Sequence, residues 1–259
     1  MMPFSKIRPE SYRSDSPLLV MGTANHRDLG EKFSVLVWNV YKARKPGWRE
    51  NFQQLIEDKD LVLLQESVFN TPHNYIFETS TRFEWIMARG HKYHYDQMIT
   101  GLKTGAVASP LTQKYIHSLD REPLANTVKM ALSTEYRLKN SDQILLVINV
   151  HAINFVSIQK YKRYINQTMS LIQHHAGSVI VAGDFNCWNR ARSEFLFDCM
   201  KNEGLIAAVS ERNVLWRHFN RHIDHIFYRD LQLIKTESLS NINSSDHYPL
   251  IAEFSTRLG

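Results

Sequence analysis

The sequence predicts an α/β domain, and three observations carry that expectation. Short apolar runs rich in β-branched residues recur along the chain, as in Phe33-Ser-Val-Leu-Val-Trp38 and Ser178-Val-Ile-Val-Ala182, and each reads as a strand buried on both faces. Segments with apolar residues at helical spacing lie between such runs. Polar residues, several of them acidic, flank the runs instead of interrupting them.

In chain order, residues 1–31 read as an irregular arm, because Pro3, Pro9, Pro17, Gly22 and Gly30 punctuate it without any period. Residues 32–259 form one domain, with no internal repeat and no Gly/Ser/Pro linker. The run 33–38 is its first strand. Trp48, Phe52, Leu55 and Ile56 then mark a helix, and Leu61-Val-Leu-Leu64 is the second strand. The middle is less patterned: 88–95 is unassigned, while 104–109 and 129–134 are candidate strands. Gln143-Ile-Leu-Leu-Val-Ile-Asn149 is a clear strand, and Tyr161, Tyr164, Ile165, Thr168, Leu171 and Ile172 mark one face of a helix after it. Strand 178–182 follows. Leu196, Cys199 and Met200 predict a helix that stops at Gly204, and strands over 223–228 and 249–254 close the chain.

Composition narrows the class. At 259 residues and 43% hydrophobic, the chain can bury a sizeable core. A formal charge of +5 favours anionic ligands such as phosphate compounds. Cys187 and Cys199, the only cysteines, provide neither a disulfide framework nor a thiolate zinc cluster, which fits a reducing compartment. The apolar stretch 17–22 is too short for a signal-peptide core, and no run approaches the roughly 20 apolar residues of a membrane helix. The expectation is a soluble, cytoplasmic protein.

Chemistry is suggested by position. Asn39 follows the first strand and Glu66 the second. His151 follows the strand ending at 149, and Asp184 and Asn186 follow 182. Asp246 and His247 precede the last strand, and Asp224 lies near the start of the one before it. Rigid strand ends aim such groups, while loops open the site around them. Carboxylates and an amide oxygen are hard ligands suited to Mg2+ or Mn2+ and not to zinc. A His held by an Asp can do acid/base work near neutral pH.

Six segments carry a family resemblance. Val37-Trp-Asn-Val40, Leu63-Leu-Gln-Glu66, Asn149-Val-His151, Gly183-Asp-Phe-Asn186, Ile223-Asp-His-Ile-Phe-Tyr228 and Ser245-Asp-His-Tyr-Pro249 resemble, in order, motifs of the endonuclease/exonuclease/phosphatase superfamily. Gly105-Ala-Val-Ala-Ser109 is a weaker match. The nearest likeness is to an uncharacterised bacterial branch. The resemblance implies a four-layer αββα sandwich of two mixed, mostly antiparallel sheets flanked by helices, with the site at one edge.

It also implies roles. Glu66, Asn39 and Asp246 would serve a metal, Asp246 either in a two-metal arrangement or behind the ligands. Asp184 would polarise the attacking water, Asn186 orient it, and His151 donate to a phosphate oxygen. His247 would be general base or charge-stabilising cation, oriented by Asp224. Pro110 stands where the family often has Arg or Lys, which removes a phosphate contact. The implied reaction is phosphodiester hydrolysis, with nucleic acid the favoured substrate by elimination. A phosphomonoesterase, a lipid phosphodiesterase and a silent phosphate-binding module are the alternatives.

Trp188 and Arg190, with Arg192, follow the Gly-Asp-Phe-Asn motif and suit base stacking and phosphate pairing, although Trp188 suits packing of the next helix equally well. Arg89, Lys92 and Lys103 are candidates for a basic rim. His174 and His175 read as solvated helix surface. His91 and His94 read as loop residues at a spacing that a metal tolerates. Alternation puts His225 on the face opposite Asp224, outside the site.

Overall fold

The computed structural model describes residues 10–12, 17–69, 71–93, 97–123, 126–209 and 223–256. Its strands, in order, are β1 (Glu10–Ser11), β2 (Leu18–Gly22), β3 (Lys32–Asn39), β4 (Leu61–Phe69), β5 (Glu84–Lys92), β6 (Ile99–Ala106) and β7 (Thr112–His117). Then come β8 (Met130–Arg137), β9 (Ile144–His151), β10 (Val179–Asp184), β11 (Ile206–Ala207), β12 (Asp224–Arg229), β13 (Leu231–Ser238) and β14 (Leu250–Thr256). The helices are α1 (Trp48–Ile56), α2 (Thr71–Glu78), α3 (Ile158–Met169) and α4 (Arg190–Asn202).

The strands form two sheets. The first runs β1-β5-β6-β4-β3-β14-β13, with β2 also paired to β5, and the second runs β11-β12-β10-β9-β8-β7. Among the described strands, β3–β4 and β9–β10 pair in parallel and the other pairs are antiparallel, so both sheets are mixed and mostly antiparallel. In each parallel pair the crossover carries a helix, α1 and α3 respectively.

The apolar runs are continuous because their strands are covered on both faces. In β9, Leu145 and Val147 join the core between the sheets, whereas Leu146, Ile148 and Val150 pack under Tyr161, Tyr164 and Ile165 of α3 and Leu196 and Met200 of α4. On the far side, Trp48 and Phe52 of α1 pack with Phe77 of α2 and Trp85 of β5. The four layers are therefore helix, sheet, sheet, helix, as the resemblance implied.

Several expectations change. The arm is not wholly irregular: 18–22 pairs along its length with β5, and β1 extends the same edge. Gly22, expected only as punctuation, ends β2 at φ 68°, where an added Cβ would lie 2.5 Å from the Phe83 carbonyl oxygen. The unassigned 88–95 belongs largely to β5. Strands β7 and β13 went unread, because their polar outer faces interrupt any apolar run.

Candidate active site

The ends of β3 and β4 in one sheet and of β9, β10 and β12 in the other meet at one edge, and loop 244–249 closes over them. One glycine and two left-handed residues set the geometry. At Gly183 a Cβ would sit 2.0 Å from the Val150 carbonyl oxygen, so only glycine lets β10 lie this close to β9 just before Asp184. Asn186 adopts a left-handed φ of 47°, which Asn tolerates better than most residues.

Glu66 has φ 51° and sits where the β4–β6 register shifts between Leu64 and Ser67. Alternation alone would put Glu66 on the face opposite Gln65, which bonds across to the second sheet. The bulge turns Glu66 toward the same cleft. A non-glycine residue held there stores about 1–2 kcal/mol of strain, the kind of distortion that accumulates at functional sites.

Hydrogen bonds connect the predicted residues. Asn39 Nδ2 donates to Asp184 Oδ2 at 3.0 Å, and Asn39 Oδ1 accepts from the Tyr41 amide at 3.2 Å. Asp184 Oδ1 accepts the Asn186 amide at 2.9 Å, and Asn186 Nδ2 donates to the Ala152 carbonyl at 2.9 Å. His247 Nδ1 bonds Asp224 Oδ2 at 2.7 Å, which leaves its Nε2 3.9 Å from Asp184 Oδ2. His151 Nε2 lies 3.5 Å from the same oxygen. The closing loop is pinned to β3: Ser245 Oγ donates to the Asn39 carbonyl at 2.6 Å, and Trp38 Nε1 donates to the His247 carbonyl at 3.0 Å.

Charge is unevenly distributed. Burial pushes the Asp184 carboxyl up to about 7, helped by the charge of Asp224 and opposed by His247. Burial disfavours a charged His247, but the bond and charge of Asp224, with Asp184 and Asp246, raise it to about 9. Burial also disfavours a charged Glu66, yet Lys42, Lys129 and His247 hold it below the usual carboxylate range. His151 is driven well down by burial and by Lys129 and Lys42, so it is neutral.

Ligand atoms of Asp184, Asp224 and His247 lie within 4.8 Å of one another, the one such grouping among the described residues. A divalent ion does not fit between Asp224 and His247, whose atoms are already hydrogen-bonded to each other. The donors that suit a hard cation are the ionised Glu66 carboxylate, now ion-paired to Lys42, together with Asn39 and Asp184. Asp246 is exposed beside Ser245 and acts on this centre through its charge on His247.

Other expectations resolve differently. Arg192 is buried between the Tyr161 and Trp188 rings, and its guanidinium donates to the carbonyls of Asn186, Ile153 and Val156, so it braces loops and is not presented to a phosphate. Trp188 is 48% exposed, its Nε1 fixed to Asn154 Oδ1 at 2.8 Å. Arg190 is 82% exposed and paired with Glu194.

Lys103 is no rim residue: it is fully buried and donates to the Val68 carbonyl. Arg89 is taken up by Pro17 and Tyr12. His175 lies beyond the end of α3, half-buried against the Ile144 and Ser178 carbonyls, and not on a solvated helix face. His225 faces away, against Cys187 and Phe197, as alternation required. His94 lies outside the described residues.

Two residues near the site carried no functional signal in the sequence, and a third was expected in a loop. Lys42 gave no sign beyond following Asn39 closely. Lys129 sits just before β8, where it reads as a flanking charge. His91 belongs to β5 and not to a loop, and its side is set by a register shift around Gly90 that no period reveals.

The sequence profile of the Endonuclease/Exonuclease/phosphatase family matches residues 36–247, the stretch that holds every group just described. The chain belongs to the endonuclease/exonuclease/phosphatase family. Among its relatives in this family, a UPF0294 protein of Klebsiella pneumoniae (strain 342) is 34% identical over 251 residues, covering 95% of this chain and 90% of that one. A UPF0294 protein of Erwinia tasmaniensis is 36% identical over 228 residues, covering 87% and 82%. The catalytic domain of human Nocturnin, solved with a bound sulfate anion, shares the fold with a TM-score of 0.64 at 16% identity, over 88% of this chain and 96% of that one. Members of the endonuclease/exonuclease/phosphatase family are metal-dependent phosphoesterases.

Proposed function

We propose that the protein hydrolyses phosphodiester bonds by in-line attack of water, with nucleic acid as its favoured substrate. The observation that carries this reading is the line Asp224–His247–Asp184. It places a carboxyl near its ionisation point within 3.9 Å of an imidazolium. Such a pair can take a proton and stabilise negative charge in the same step.

A magnesium or manganese ion, held by Glu66 with Asn39, supplies neutralisation of the phosphate oxygens when bound. The residues of the chain do the rest. Asp184 Oδ2 takes one proton from the attacking water as its oxygen bonds to phosphorus. Asn186 holds the turn that aims Asp184. His247, kept cationic by Asp224, presents Nε2–H to the nonbridging oxygens as their charge grows. The ester P–O bond breaks, and the departing alkoxide takes a proton from solvent. Trp188 offers an exposed ring for a base to stack on, and Arg190 a cation at the start of α4.

Hydrolysis of bis-para-nitrophenyl phosphate and of oligonucleotides, in magnesium and then in excess chelator, tests the reading. Turnover is expected in magnesium, and its loss with chelator and in Glu66→Ala. Turnover that survives chelation, or no hydrolysis of any phosphate ester in either metal, overturns it.

A further inference from the structure

A pocket of about 160 Å³ opens beside the centre and shares Glu66 and His151 with it. Its remaining wall comes from β5, β6 and the approach to β8; Lys42, Lys129 and His91 line it together with the Glu122 carboxylate and the polar groups of Tyr93, Thr100 and Thr127. Three features make it a place for an anion.

Lys129 Nζ donates to His151 Nε2 at 3.0 Å. An ammonium can only donate, so that nitrogen of His151 is an acceptor and not the phosphate donor the family resemblance implied. Lys129 is also ion-paired with Glu122 at 3.6 Å, whose oxygens accept Thr127 Oγ1 at 2.9 Å and the Asn154 amide at 2.8 Å. Of the three N–H groups of this mostly buried ammonium, one is given to His151 and one faces Glu122, which leaves the third without an acceptor among the described residues.

The third feature is His91. The β5–β6 register shift between Arg89 and His91 makes Gly90 the bulge, and an added Cβ there would lie 3.0 Å from Met130 Sδ. The bulge brings His91 to the Met130 side of its strand. His91 Nε2 is paired with Thr100 Oγ1 at 2.8 Å, while its buried Nδ1 has no partner among the described residues. Burial, with Lys129 and Lys42 nearby, pulls this imidazole down to about 3, so it is neutral. In the tautomer in which Nε2 accepts the Thr100 hydroxyl, Nδ1 carries the proton and is the donor an anion would meet. Buried donors without acceptors are costly, and an oxyanion satisfies them together.

We propose that this pocket is a second phosphate subsite, in which Lys129 and His91 bind a phosphate monoester that the substrate carries next to the scissile phosphate. The inference rests on the phosphoesterase reading and deepens it: the preferred substrate is bisphosphorylated, or a nucleic-acid end bearing a terminal phosphate.

Calorimetric binding in magnesium, in a His247→Ala background that prevents turnover, compares thymidine 3′,5′-bisphosphate with thymidine 5′-monophosphate and thymidine 3′-monophosphate. Inositol 1,4-bisphosphate is run against inositol 1-phosphate as the non-nucleotide source. At least one bisphosphate is expected to bind ten-fold or more tightly than its monophosphates, and which one does so identifies the source. Lys129→Met and His91→Gln, each checked for wild-type-like thermal unfolding, should each shrink that ratio to three-fold or less. Equal binding of mono- and bisphosphates, no binding of any of them, or an advantage that survives in both variants overturns the subsite. Failure of the hydrolysis assay with the binding ratio intact sinks the catalytic reading alone.

Discussion

At the scale of single residues, Asp184 holds the site together. It is buried, accepts from Asn39 and from the Asn186 amide, and faces both His151 and His247. Asp184→Asn keeps the shape but cannot take a proton, so kcat should fall at least ~100-fold, the usual scale for loss of an acid/base group. His247→Ala and Asp224→Ala should each fall by at least as much. The double variant should fall little further, because the two act as one unit. Steady-state kinetics on purified, folded variants checks this, and normal turnover in any one of them removes that residue from the mechanism. The same pair makes a stability prediction. In metal-free protein the folded His247 holds its proton to about 9, whereas an unfolded histidine releases it near 6.5. The contribution of this group is therefore complete below pH 6.5 and is lost as pH rises through 9, amounting to roughly 2–3 kcal/mol. Asp184, raised to about 7, acts in the same direction at lower pH: as the unfolded carboxyl ionises from about pH 4 upward, the folded one lags and stability falls until pH 7. Urea titrations at pH 7 and pH 9 in chelator should show the His247 loss in wild type and little of it in Asp224→Asn.

At the scale of elements, the polar residues between the sheets matter as much as the apolar ones. Asn149, at the end of β9, accepts from Gln65 Nε2 at 2.7 Å and donates to the Leu64 and Lys103 carbonyls at 3.2 and 3.0 Å, all on the opposite sheet. Asn149→Leu should cost about 2–4 kcal/mol in denaturant unfolding, because it removes the 2.7 Å acceptor of the buried Gln65 amide and the donor to two strand carbonyls. Gly183→Ala should be worse for activity than for expression, since β10 must move off β9 just where it presents Asp184. Loss of under 0.5 kcal/mol in the first variant would mean that Asn149 does not brace the sheets. Strands covered on both faces, such as β3, β4, β9 and β10, declared themselves as apolar runs, and the candidate site groups at their ends could be read with them. Edge strands β2, β7 and β13 could not, because one polar face hides the period. His91 and Lys129 escaped for a related reason: a bulge decides which way one points, and the other lies just outside its strand, so their meeting depends on how two sheets are stacked. Asn149 looked like part of a catalytic motif, yet its side chain serves the sheet interface. The motif's spacing does not distinguish a brace from a ligand.

At the scale of the whole molecule, the site exists only because two sheets end at the same edge. Glu66 and Asn39 come from the first sheet, Asp184, Asp224 and His151 from the second, and His247 from the loop between β13 and β14 of the first. A cation bound at Glu66 and Asn39, which touches Asp184, ties the sheets together in the folded chain and finds no such cluster in the unfolded one. Binding must therefore stabilise the fold by mass action, by about 2.7 kcal/mol at a hundred times the dissociation constant. For a chain of this size that corresponds to a rise in Tm of roughly 5–10 °C. The rise should grow with the logarithm of magnesium concentration, appear without any substrate, and be absent in Glu66→Ala. Lys42→Met should strengthen it, because the lysine that now pairs with Glu66 competes with the ion for the same carboxylate. A Tm indifferent to magnesium and manganese in wild type, or a shift of equal size in Glu66→Ala, would place the ion elsewhere. In that case the reading of Glu66 as ligand fails, even if chelation abolishes turnover.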